Sequence, residues 1–149
     1  MRYFEDFEAG SVYPLEGRHQ FSEEDIIEFA TRWDPQPFHI DSAAAAESIF
    51  GGIVACSSHI IAAAISVASD ESGEPSAAIS ALGFKEIKMA APVRPDDVIR
   101  SEEQVLETRL SKSRPGAGIV SFRNDIYNQN NEMVATFQTA ALMKCRGGD

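Results

Sequence analysis

Asp34 and His39 stand five positions apart in the stretch Trp33-Asp34-Pro35-Gln36-Pro37-Phe38-His39-Ile40-Asp41. A carboxylate and an imidazole held on one short, stiff segment are what general acid–base chemistry on a water molecule requires. Two prolines fix φ, so the segment is read as an extended connector rather than a continuous helix. Asp34 follows a helix, where a carboxylate faces the negative end of the dipole, and a residue placed against local preference is a candidate for function. The structural alternative is that Asp34 ends the helix and His39 bonds a backbone carbonyl. Asp41 is read chiefly as the N-cap of the next helix.

A second group is Phe50-Gly51-Gly52-Ile53-Val54-Ala55-Cys56-Ser57-Ser58-His59. Paired glycines before an apolar helix allow close approach of a ligand, and free N–H groups at a helix start can meet a developing oxyanion. A plain turn is the competing reading. His59 is read as a satisfied core histidine, and Cys56 and Ser57 lack the context of a nucleophile elbow. Basic residues Arg109, Lys112 and Arg114 gather around Ser111–Gly116, and Arg94, Lys85 and Lys88 are further candidates for meeting phosphates. A solvated hairpin tip explains the first three equally well. His19, His39 and His59 lack zinc-site spacing, and there is no dinucleotide fingerprint.

These residues need elements to hold them. Ser22 caps a helix over 23–33, with Glu23, Glu24 and Asp25 in its first turn and Ile26, Phe29, Ala30 and Trp33 on one apolar stripe. A short helix follows through 43–48. A third is expected from near Gly52 to about Ser69, apolar all round and therefore buried all round. Residues 78–89, 98–108, 118–128 and 133–144 read as long strands, with turns at Asp96-Asp97 and a tight primed hairpin at Asn130-Asn131. The expected architecture is α+β, with a curved antiparallel sheet wrapped around the third helix.

The chain has 149 residues, enough for one domain with a sizeable core, and no linker divides it. Its net charge of −10, from 23 acidic and 13 basic residues, argues against a general affinity for nucleic acid or anionic membrane. Cys56 and Cys145 are read as unpaired thiols in a reducing compartment. The acidic N-terminus is not a signal peptide and no apolar run suits a membrane span, so a cytoplasmic location is expected.

The order Asp-Pro-Gln-Pro-Phe-His-Ile-Asp, then Phe50-Gly51-Gly52, Pro92-Val93-Arg94-Pro95-Asp96-Asp97 and Tyr127-Asn128-Gln129 resembles the MaoC-like dehydratases. These group with the (R)-specific enoyl-CoA hydratases of the hotdog fold. The resemblance spans nearly the whole chain, from Tyr3-Phe4-Glu5-Asp6-Phe7 onward. It implies that Asp34 and His39 are the catalytic pair, adding water to C3 of a trans-2-enoyl thioester and delivering a proton to C2.

The same resemblance implies that a backbone N–H near Ser57 polarises the thioester oxygen, with Gly52 and Ser58 or Ser66 as supporting residues. Arg94, Lys112 and Arg114 would meet the substrate phosphates. It implies no metal and no separate cofactor, because CoA is part of the substrate, which belongs to acyl-CoA and fatty acid metabolism. The partner is an acyl-CoA or acyl-carrier-protein thioester, and the assembly is a homodimer with one continuous sheet and the acyl-CoA between subunits. Two departures stand out: Ser57 where many relatives have glycine, and Pro95-Asp96-Asp97 where the family turn carries Pro-Gly-Asp. Hydrolysis of a thioester, or a non-catalytic subunit that only binds acyl thioesters, are the alternatives.

Overall fold

A computed structural model describes residues 1–70 and 75–148. The helices are α1 (Glu23–Trp33), α2 (Pro37–Ile40), α3 (Ser42–Glu47) and α4 (Ser57–Asp70). The strands are β1 (Val12–Pro14), β2 (His19–Gln20), β3 (Ala78–Met89), β4 (Val98–Leu110), β5 (Ala117–Tyr127) and β6 (Met133–Lys144). They form an antiparallel sheet in the order β1-β4-β5-β6-β3, and β2 also pairs with β4. The α+β expectation and the four long strands stand. The two short strands β1 and β2 are additions, too brief to carry an alternating pattern.

Period-two alternation sends one set of side chains to one face. Ile99, Ser101 and Val105 of β4 and Val120, Phe122 and Ile126 of β5 are buried. Ile60, Ala63 and Ala64 of α4 pack with Phe21, Ile26, Ile99, Ile126 and Phe137 in the main core. Small alanines let the helix backbone lie close to the sheet. A second cluster gathers Phe7, Val105, Val120, Phe122 and Met143. Register shifts in β3, β4 and β5 mark bulges, which bend and twist the strands around the helix.

Three expectations about local structure are corrected. Helix α4 begins at Ser57, not near Gly52, because the apolar run before it is pinned in an extended form by neighbouring chain. Val54 N–H donates to Phe38 O (3.3 Å) and Ala55 N–H to Val93 O (2.8 Å). Nor is α4 buried all round: the sheet covers one side, and Ile65 on the other is 43% exposed. The primed two-residue turn at Asn130-Asn131 is instead a loop of residues 128–132. Asn128 Oδ1 accepts from Asn130 N–H (2.9 Å) and Glu132 N–H (3.1 Å), and of the two asparagines at the tip only Asn131 takes positive φ.

The turn at Asp96-Asp97 is present. Asp96 has φ 71°, the left-handed conformation a glycine would adopt without strain. Asp97 compensates by accepting from Arg94 N–H (2.8 Å) and from Gln129 Nε2 (2.8 Å).

Both predicted N-caps are present. Ser22 Oγ accepts from Asp25 N–H (3.0 Å). Asp41 Oδ1 accepts from Ala43 N–H (2.9 Å) and Ala44 N–H (3.0 Å), so its side chain is committed to starting α3. Asp41→Ala is expected to lower the unfolding free energy by about 1 kcal/mol, measured by urea denaturation, because two orphan donors lose their acceptor.

Candidate active site

The site is assembled where α1 stops. Asp34 is the C-cap of α1, and its N–H donates to Ala30 O (2.8 Å). Pro35 has no N–H with which to continue the helix. The chain folds back at once, with Gln36 N–H on Asp34 O (2.8 Å) and His39 N–H on Gln36 O (2.9 Å). Pro37 then opens α2, because its fixed φ suits the first helical position. The extended connector expected across the whole stretch is therefore not formed: residues 34–36 make a tight turn. The rest is a helical turn that brings His39 back toward Asp34.

His39 is buried, and its Nδ1 lies 2.6 Å from Val54 O. A carbonyl oxygen only accepts, so Nδ1 carries the hydrogen and donates it. In the neutral ring the lone pair is then on Nε2. That atom faces Asp34 Oδ2 at 3.7 Å, too far for a direct hydrogen bond. An ionised carboxylate and this Nε2 are both acceptors. A water molecule can donate one hydrogen to each, which leaves its oxygen lone pairs aimed away from the pair. The arrangement suits a water poised as a nucleophile.

Ser57 is the first residue of α4, so its N–H has no acceptor within the helix. Ser58 Oγ lies 3.4 Å from Cys56 Sγ, and both Ser58 and Ser66 are exposed. Gly52 lies beside Arg94: a Cβ added there would be in ordinary contact with the Arg94 guanidinium, at 3.8 Å. Arg94 thus stands beside the segment that carries Val54. Lys112 and Arg114 are exposed beyond the end of β4, and Arg109 lies near that end. About 40 Å of strand, at 3.3 Å per residue, separates that tip from the start of β4, so one chain does not bring them to the Asp34–His39 pair. Lys85 and Lys88 are exposed on β3.

One expectation about the histidines is overturned. His59 is buried in the core, but it is not satisfied: its Nδ1 has no hydrogen-bond partner among the described residues, and neither has His19 Nε2. Burial pushes the His59 pKa below its ordinary value, with His19 adding to the shift and Asp25 opposing it. Aromatic neighbours surround the ring and offer packing without hydrogen bonds. The structural alternative is present in both parts, since Asp34 ends α1 and His39 bonds a backbone carbonyl, but that the carbonyl is Val54's has no residue-type signature.

A cavity of about 480 Å³ lies between the C-terminal half of α4 and the sheet, bordered by Ala64, Ile65, Phe122, Phe137 and Met143. Neither Asp34 nor His39 borders it. Cys56 and Cys145 are free and buried. Among the described residues no group of three or more His, Cys, Asp or Glu side chains is placed to hold a metal. No described helix is long and apolar enough to cross a membrane.

One long helix laid on a bulged antiparallel sheet is the hotdog architecture. The chain belongs to the MaoC like domain family, whose model matches residues 6–123. The structure is similar to the MaoC-like dehydratase of Rhodospirillum rubrum, with TM-score 0.89 and 32% identity over 98% of this chain and 99% of that one. The uncharacterized protein YdeM of Bacillus subtilis is 26% identical, over 94% of this chain and 97% of its own length. In fold, the chain also resembles the R-hydratase PhaJ1 of Pseudomonas aeruginosa, with TM-score 0.72 and 23% identity over 97% of this chain and 86% of that one.

Proposed function

We propose that the protein adds water reversibly to a trans-2-enoyl thioester of CoA or of an acyl carrier protein, giving an (R)-3-hydroxyacyl thioester. The observation that carries this reading is the 3.7 Å gap between Asp34 Oδ2 and His39 Nε2, with the His39 tautomer set by Val54. Both groups would accept from one water. As the water oxygen bonds C3, the C2–C3 π electrons move toward the thioester oxygen. The Ser57 N–H would hold the enolate that forms, and the water's proton, taken up by the pair, would pass to C2. Dehydration is the same path reversed. Membership of the family and likeness to a MaoC-like dehydratase support the reading.

This chemistry calls for no cofactor, since CoA is part of the substrate. Arg94 is the nearest candidate for the CoA phosphates, while Lys112 and Arg114 would reach them only from a second subunit. We take the active unit to be a homodimer joined at β3. That strand is the sheet edge next to β6, all of its residues are exposed, and Leu82 is 51% exposed. An exposed apolar edge of this length is a ready template for pairing with another strand. A cytoplasmic setting fits a CoA substrate and two free thiols.

Hydration of crotonyl-CoA is the first measurement. Asp34→Asn and His39→Ala are each expected to slow it by about 10² to 10⁴-fold, and rates near the parent's would overturn the assignment. Release of free CoA, read with a thiol reagent, would indicate hydrolysis instead.

The donor is tested by Ser57→Pro, which removes the N–H at a position where proline is tolerated. A fall of about 10² to 10³ in kcat is expected, with Ser57→Gly close to the parent. Equal rates for the proline and glycine variants would exclude this donor. In sedimentation velocity the parent should run as a dimer and Leu82→Glu as a monomer.

A further inference from the structure

The catalytic reading places Asp34 at the end of α1 and Ser57 at the start of α4, and the distance between them must be held by something. The two helices meet through rings. His59, two residues into α4 from Ser57, stacks on Phe29 of α1 with centroids 4.4 Å apart and planes 7° apart. Phe21 closes the side at 4.9 Å and His19 lies beyond at 6.2 Å. At 1.5 Å per residue, the stack lies about 3 Å along α4 from Ser57 and about 7.5 Å along α1 from Asp34. The stack is thus a joint between the two helix ends.

This box favours the uncharged ring. Its Nδ1 is sealed from solvent without a partner. The titratable groups that face it are His19, from β2, and Asp25, from α1, while α4 itself carries no charged side chain before Asp70. A phenylalanine could fill the same space, but only a histidine can lose its place there by taking up a proton. Desolvating the cation is costly, so protonation weakens this packing.

We propose that His59 is a positioning residue: its neutral ring, laid on Phe29, sets the spacing between Asp34 and Ser57, and its protonation releases that joint. The proposal rests on the hydratase reading for the roles of those two groups. The direction follows from the lowered pKa of the buried ring. Above the unfolded value of about 6.5 the ring is neutral in every state and the joint is intact. As pH falls below that value, proton uptake favours the open form.

The test uses the full chain and two readouts. Trp33 is the sole tryptophan and ends α1, so its fluorescence reports on the helix without needing turnover. Titrated from about pH 8 to about pH 5, the parent should show a reversible Trp33 transition below pH 6.5 that His59→Phe lacks. At about pH 7.5 His59→Phe should keep kcat and KM within about twofold of the parent, while His59→Ala lowers kcat by about ten- to a hundredfold with little change in KM.

A transition unchanged in His59→Phe, which retains His19, would overturn the proposal, as would parental kcat in His59→Ala. Circular dichroism identifies a variant that fails to fold, and the His59→Phe titration then decides alone. If the parent hydrates no enoyl thioester, the functional reading falls while the Trp33 titration still judges the joint.

Discussion

The hydrogen bond from His39 Nδ1 to Val54 O is the contact around which the candidate site is arranged. For it to form, residues 52–56 must run extended rather than join α4, and they must pass directly behind the imidazole. They do so because Val54 N–H is held by Phe38 O and Ala55 N–H by Val93 O. Helix α2, the segment before α4 and the segment before β4 are therefore tied together around Val54 and Ala55. Leaving the buried donor of His39 without that acceptor would cost about 1–3 kcal/mol, so the tautomer is tied to the packing of all three.

The consequence is a division of labour. The groups assigned to chemistry lie on or beside connections packed against the sheet, and the sheet acts as backing. Main-chain pairing along β4, β5 and β6 holds the sheet, while the short proline-containing loop is fixed by α1, α3 and the Val54 carbonyl. The helix dipoles favour the same arrangement only in part. The start of α4 presents its positive end at Ser57, the proposed donor, whereas Asp34 is held at the unfavourable end of α1 by backbone bonds on both sides. Its position reflects tertiary constraint overriding local preference.

That contrast explains what was legible in the sequence. Ser22 and Asp41 were readable as caps because capping is a local matter of side-chain oxygen and neighbouring N–H. The long strands were readable from the turn signals that separate them. Asp34 and His39 were readable as a pair because prolines brace a short segment. The start of α4 was not readable, since an apolar run such as Ile53-Val54-Ala55-Cys56 suits a buried extended segment as well as a helix. Pro37 was read as a breaker although it begins a turn, because proline both stops one helix and opens another. The environment of His59 was hidden for another reason: Phe29, Phe21 and His19 converge on it from three places in the chain.

The apolar interior comes in two parts, and this has a bearing on how such a protein can change over time. The cluster around Phe21, Ile26, Ile53 and Ile126 supports the catalytic loop, while Phe7, Val105, Val120, Phe122 and Met143 form another. The cavity beside α4 is bordered by members of the second cluster, Phe7, Phe122 and Met143, and only by Phe137 and Ala64 of the first. Substitutions at distant sites add nearly independently. Substitutions that reshape the hollow therefore leave most of the packing around Asp34 and His39 undisturbed.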